Sequence, residues 1–350
     1  MLAAETRVAG PSDSVALLVN PPVDWRQIVQ PLEPFLQAVS RRMGEQISAF
    51  EPDLARYADY ALTAQGKQLR PALVGLSANA TGHIQDSHIT VAVIIEMVHL
   101  ATLVHDDVMD EATIRRGRPT LAVHWGNEYS VLLGDCLYAK SLKLAADFPT
   151  TEVCRAVASA TDTVCQGEIL QTLRRRNLHG TRAEYLKVLA MKTGELFALA
   201  CDMGGCLSGA PGREREALRS YGLALGTAYQ IYDDCLDVFG TEGAAGKSLG
   251  TDLAKGKVTL PLLVLLERHD PAVRAKLEAL VGDYQPQQFA QAVALLRRHG
   301  ALEESLRVVR EYLQRAREAA GVLRETEARG GLLNLCGVLA AQTESLGGPA

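Results

Sequence analysis

Two runs of the 350-residue chain read D-D-x-x-D: Asp106-Asp107-Val108-Met109-Asp110 and Asp233-Asp234-Cys235-Leu236-Asp237. At about 100° per residue in a helix, Asp106 and Asp110 lie on one face a turn apart, and so do Asp233 and Asp237. Carboxylates placed like this repel each other and resist burial. A hard divalent cation reverses that balance, and Mg²⁺ takes a few carboxylates together with substrate phosphate oxygens. A single copy reads equally well as a solvated acidic helix end. Acids at a helix C-terminus oppose the macrodipole, however. Two copies, each closing a long apolar helical run, point to a metal-assisted site.

Basic and polar residues accompany the acids. Gly66-Lys67-Gln68-Leu69-Arg70-Pro71 places Lys67 and Arg70 three apart at a helix start, where anions are favoured. Arg115 and Arg116 follow Asp110 closely, either to meet a phosphate or to pair with Asp110 or Glu111. His99 lies two turns before Asp106 on nearly the same stripe, as a core histidine or as a hydrogen-bond donor to substrate. Lys192, Thr193 and Gln230 are polar residues inside apolar helical stretches, and Gln230 shares a face with Asp233. Gly246-Lys247-Ser248 ends like a phosphate loop, but Thr241 stands where its first glycine belongs and no strand precedes it. The segment 240–257 then reads as a plain solvated loop or as a lid carrying Lys247 and Lys257 over phosphate.

The elements that must position these groups are helical. Apolar residues recur with a helical period over roughly 24–46, 52–65, 69–80, 88–110, 127–146, 151–177, 181–208, 213–239, 259–268, 285–299, 302–322 and 327–345. No strand pattern with hairpin turns and no repeat or linker divides the chain. The expectation is one all-α domain over 24–350, a large helical bundle around a central cavity, preceded by a loosely held arm over 1–23. A 47% hydrophobic, 5% aromatic composition suits a close-packed Leu/Ala/Val core. The net charge of −5 speaks against a nucleic-acid partner. Seven cysteines without a C-x-x-C pair read as buried thiols of a reducing, cytoplasmic setting. The most apolar window, 89–104, carries Glu96 and His99 and is shorter than a span, so no transmembrane segment is expected.

Taken together, these residues resemble the trans-isoprenyl diphosphate synthases, or polyprenyl synthetases. The likeness covers about Gln65 to Leu263 and rests on an order of motifs: G-K-x-x-R-P, D-D-x-x-D with R-R-G, K-T-G, Q-x-x-x-D-D-x-x-D, then G-K and K-G-K. The resemblance implies that Asp106, Asp110 and Asp233 hold Mg²⁺ on an allylic diphosphate, supported by Asp107, Asp234 and Asp237. It implies that Arg115, Lys192, Lys247 and Lys257 contact that diphosphate. Lys67, Arg70, His99 and Arg116 would hold isopentenyl diphosphate, and Thr193 and Gln230 would line the reacting centre. Gln171 stands where farnesyl enzymes usually carry an acid, and His99 where they often carry glutamine, which points away from a farnesyl product.

The implied reaction adds isopentenyl diphosphate repeatedly to a farnesyl or geranylgeranyl diphosphate primer. Ala101 and Thr102, a turn before Asp106, are small where short-chain members often carry an aromatic ring, so a hexaprenyl to decaprenyl product for a quinone side chain is expected. Geranylgeranyl diphosphate is the alternative, with bulk near Leu137 or Leu144 as the stop. A terpene cyclase needs no second diphosphate pocket, and a non-catalytic subunit would lack the complete acid clusters. A di-iron bundle needs Glu-x-x-His pairs that are not found on facing helices. Family likeness further implies a homodimer, with the 127–146 helix offering a face to bury.

Overall fold

The computed structural model describes residues 24–63, 66–245, 248–268, 270–282 and 284–346. The arm expected over 1–23 and Lys247 of the expected lid lie outside the described residues. The chain opens with α1 (Trp25–Val29), a 3₁₀ turn (Gln30–Leu32), α2 (Glu33–Ser48), α3 (Pro52–Thr63), α4 (Leu69–Thr81) and α5 (Asp86–Met109). A hairpin of β1 (Ile114–Arg115) and β2 (Arg118–Pro119) leads to α6 (Leu121–Trp125), α7 (Asn127–Ala146), α8 (Thr151–Leu173) and α9 (Arg182–Leu189). After a π-helical turn over Ala190–Gly194 come α10 (Glu195–Leu207), α11 (Gly212–Phe239), α12 (Glu242–Ala245), α13 (Thr251–Ala254) and α14 (Leu260–Leu266). The chain finishes with α15 (Pro271–Gly282), a 3₁₀ turn, α16 (Phe289–Arg298), α17 (Ala301–Ala320) and α18 (Glu327–Ser345).

The all-α expectation holds, with local departures that have physical causes. Pro31 withholds a backbone N–H, and the helix expected over 24–46 breaks into a 3₁₀ turn there. The helix expected over 181–208 is interrupted by the π-helical turn that carries Lys192 and Thr193. The reading of the sequence found no hairpin, yet Arg115 pairs with Arg118 across a two-residue turn. Arg116 (φ 52°) and Gly117 (φ 75°) both take left-handed angles there, as a type I′ turn requires. Helix α15 was also unforeseen; it begins at Pro271, a favoured first helical residue.

Apolar side chains from Ile28 to Leu346 form one contiguous buried core. Two long helices run through it. Helix α5 buries Val91, Val93, Ile94, Ile95, Met97 and Val98 completely, and α11 is buried along most of its length from Ala217 to Phe239. Between them α10 packs on both α4 and α11. Glycine makes that approach possible: a Cβ on Gly222 would lie 2.4 Å from the Phe197 carbonyl oxygen, and one on Gly204 2.5 Å from that of Val74. The two acidic clusters thus sit at the C-terminal ends of the two central rods. Among the described residues α5 alone is long and apolar enough to cross a membrane by those measures, and 56% of its apolar window is buried within the fold.

Candidate active site

A cavity of about 1270 Å³ lies at the C-terminal ends of α5 and α11, and Asp106, Asp110 and Asp233 line it. The other three clustered acids do not. Asp107 pairs with Arg115, whose Nε donates over 2.7 Å. Asp234 accepts from the Tyr185 hydroxyl at 2.6 Å and from Gln230 Nε2 at 2.9 Å. Burial, with Asp252 nearby, lifts the Asp234 carboxyl to about 7. Asp237, expected to share the face of Asp233, is fully buried. It accepts from Thr251 Oγ1 at 2.8 Å and from the Thr251 and Asp252 backbone N–H groups at 3.3 and 3.1 Å. The physical reason is capping: α13 begins over the last turn of α11, and its free N–H groups take the nearest carboxylate.

Three cations converge on Asp110. Arg175 donates to it at 2.9 Å, and Lys255 and Lys257 both lie 3.1 Å away. Burial alone would raise its pKa, but Lys257 and Lys255 outweigh burial and hold it down to about 2. Asp106 has Lys192 Nζ at 3.5 Å. Lys192 also pairs with Glu168 and donates to Gln171 Oε1 at 3.1 Å. Burial first, then the charge of Asp106, pushes Glu168 upward, and Lys192 opposes them. The π-helical turn presents Lys192 to the cavity, a distortion that recurs at functional sites. Thr193 donates to Gln230 Oε1 at 2.9 Å, which links the turn to α11.

Among the described residues no three His, Cys, Asp or Glu side chains converge into a ready-made metal centre. Asp106, Asp110 and Asp233 instead offer hard oxygens from two helices to one cavity. That donor set fits Mg²⁺, which keeps waters and takes phosphate oxygens rather than demanding an all-protein cage.

Lys67, Arg70, His99, Arg115 and Arg116 line the same cavity. The strained Arg116 backbone aims its guanidinium back toward Gly66, where a Cβ would come within 2.6 Å of Nη2. Arg70 lies deep in the fold with its guanidinium 4.9 Å from the Phe197 ring centre. Burial first, then Arg70, Arg116 and Arg115, drive His99 well below its ordinary value, so it stays neutral at pH 7. A neutral imidazole both donates and accepts.

One expected residue is displaced. Thr102 and Leu103 line the cavity, whereas Ala101 is fully buried and does not. Thr102 lies about 40° from Asp106 around the helix and Ala101 about 140° away. The aromatic ring of Tyr138 on α7 lines the cavity as well. Reading the sequence did not place Glu96, Glu168, Arg175 or Lys255 at the site. The three consecutive arginines at 174–176 and charged residues within apolar helices were the available signals.

The sequence pattern of the polyprenyl synthetase family matches residues 51–296. The "Short chain isoprenyl diphosphate synthase" of Methanothermobacter thermautotrophicus is 34% identical over 308 residues, 87% of this chain and 95% of the relative. The "Octaprenyl diphosphate synthase" of Haemophilus influenzae is 33% identical over 305 residues, 87% of this chain and 92% of the relative. A crystal structure of polyprenyl synthase from Caulobacter crescentus, complexed with calcium and isoprenyl diphosphate, aligns with a TM-score of 0.87 at 31% identity, covering 92% of this chain and 99% of that one. With the acids, the cations and the helical frame on one cavity, the chain belongs to the polyprenyl synthetase family, the trans-isoprenyl diphosphate synthases.

Proposed function

We propose that this enzyme adds isopentenyl diphosphate repeatedly to an allylic diphosphate and releases a medium- or long-chain all-trans polyprenyl diphosphate. The observation that carries the reading is one cavity lined by hard carboxylates from two helices and, beside them, by a set of cationic side chains. Asp106, Asp110 and Asp233 would hold Mg²⁺, which when bound would neutralise charge on the departing diphosphate. Lys192, Lys257 and Arg115 hold the allylic diphosphate on the metal side. Lys67, Arg70, His99 and Arg116 hold isopentenyl diphosphate without metal, with guanidinium groups matched to phosphate oxygens.

In the reaction the allylic carbon–oxygen bond breaks and pyrophosphate leaves with the electron pair. The isopentenyl double bond forms the new carbon–carbon bond to the resulting cation. A proton lost from the adjacent carbon to pyrophosphate restores a double bond. The Thr193–Gln230 pair orients the reacting centre, and the apolar wall below Asp106 takes the growing tail away from water. No nucleophilic triad is required.

A farnesyl or geranylgeranyl primer and a hexaprenyl to decaprenyl product are the preferred reading, with Thr102 as the small residue first met by the tail. A geranylgeranyl product is the second reading, favoured by the Tyr138 ring on the cavity wall. The chain acts as one domain over 24–350 and as a homodimer, supported by exposed apolar residues Leu132 and Leu142 on α7 and Leu173 on α8. Seven free thiols support a reducing, cytoplasmic setting. Incubating the protein and Mg²⁺ with labelled isopentenyl diphosphate and C10, C15 or C20 primers, then sizing the products, tests the proposal. No condensation with any primer overturns it.

A further inference from the structure

Glu96 is out of place in a pocket that takes anions. It lies on α5 three residues before His99 and lines both the main cavity and a smaller one of about 60 Å³ behind it, shared with Arg115, Arg116 and Tyr60. One of its edges opens on the cavity, but Oε2 is sealed from solvent and has no hydrogen-bond partner. Nε of Arg70 is sealed and unpartnered in the same way. Burial outweighs the pull of Arg70 and Arg116 and leaves Glu96 raised above its ordinary value, and its charge in turn offsets part of the burial of both arginines.

A carboxylate at this place repels any diphosphate that enters. Its use is visible only while the pocket is empty. Arg70 would then share a low-dielectric wall with Arg116 and Arg115, and Arg115 is already committed to Asp107. Buried like charges without a counter-charge push side chains apart.

We propose that Glu96 is a positioning residue, an internal counter-ion that keeps Arg70 and Arg116 in place in the empty pocket and yields them to the diphosphate of the isopentenyl substrate. This rests on the assignment of the pocket made under Proposed function. Because the carboxylate stabilises the empty state and opposes the filled one, its loss shifts the balance toward the filled state on both counts. Glu96 thereby keeps affinity in reserve, so that a spent or competing diphosphate leaves readily.

Glu96→Gln removes the charge and keeps the shape. Titration calorimetry with isopentenyl diphosphate, and separately with inorganic pyrophosphate, is run in chelator, beside thermal melts of the free and ligand-loaded protein. The free variant should melt below the wild type. It should bind isopentenyl diphosphate about tenfold more tightly, the scale of one like-charge repulsion screened by the open cavity to about 1.4 kcal/mol. Inorganic pyrophosphate should gain similarly. In steady state the KM for isopentenyl diphosphate should fall by a larger factor than that for the allylic primer. Glu96→Asp, which keeps the charge on a shorter arm, should lie between. Unchanged or weaker binding by a folded Glu96→Gln variant overturns the proposal and leaves the pocket assignment standing. A wild type that binds no isopentenyl diphosphate in chelator overturns the pocket assignment, and the role of Glu96 with it.

Discussion

Removing a carboxylate from a metal site usually relieves repulsion in the metal-free protein, and Asp110 should behave in the opposite way. Three cations converge on it within 3.1 Å, and its carboxyl is held near 2 rather than 3.8. A drop of nearly two units corresponds to about 2.5 kcal/mol at about 1.4 kcal/mol per unit. Solvent screening at a partly open site reduces this to about 1–2 kcal/mol. Asp110→Asn in chelator should therefore lower the melting temperature by about 1–3 °C at pH 7. The folded pKa is depressed, so the contribution is complete above the unfolded value near 4 and is lost as pH falls toward 2. The gap between wild type and variant should narrow over that window in urea melts. Asp106→Asn serves as the internal control, because its cation, Lys192, is shared with Glu168. That control should lose little or no stability. If Asp110→Asn matches or exceeds the wild type in chelator, the three cations do not stabilise the empty site and the electrostatic reasoning fails.

Asp106→Ala or Asp233→Ala should cut kcat by orders of magnitude with the helical circular dichroism intact, and excess chelator should abolish turnover; full activity in chelator would remove the metal from the mechanism. Arg70→Ala should raise the KM for isopentenyl diphosphate more than that for the primer, and an equal rise in both would contradict separate pockets. Thr102→Phe should shorten the product while condensation continues, whereas Ala101→Phe should mainly lower the melting temperature by overpacking, by about 1–3 kcal/mol; product sizing and melts on both variants decide whether Thr102 or Ala101 meets the tail. Light scattering at micromolar concentration should give twice the chain mass, and a persistent monomer would refute the dimer.

The helical frame was legible because long apolar periods are a strong local signal, and both acid clusters stand out by type and spacing alone. What the sequence concealed was direction. Asp233 and Asp237 have the same spacing as Asp106 and Asp110, yet Asp237 is taken by α13, which folds back from fourteen residues downstream. No local pattern announces that a distant segment needs a cap. The same holds for Asp110, whose partners come from 175, 255 and 257. Two left-handed residues at Arg116 and Gly117 set the arginine hairpin, and an arginine in that conformation is not a choice that propensity foretells. Glu96 was noticed as a charge in an apolar helix, but its neighbours arrive from α4 and the hairpin, so its surroundings exist only in the fold.

The π-helical turn at Ala190–Gly194 works as a change of phase. It separates α9, which packs on α8, α11 and α14, from α10, which packs on α4, α5 and α11. An unbroken α-helix would lock the two halves into one rotation, and a single residue more or less turns everything beyond it by about 100°. The bulge lets each half keep the face its own neighbours require. Lys192 then points where it does because two packing problems have been uncoupled, and the length of that turn, counted in single residues, sets its heading.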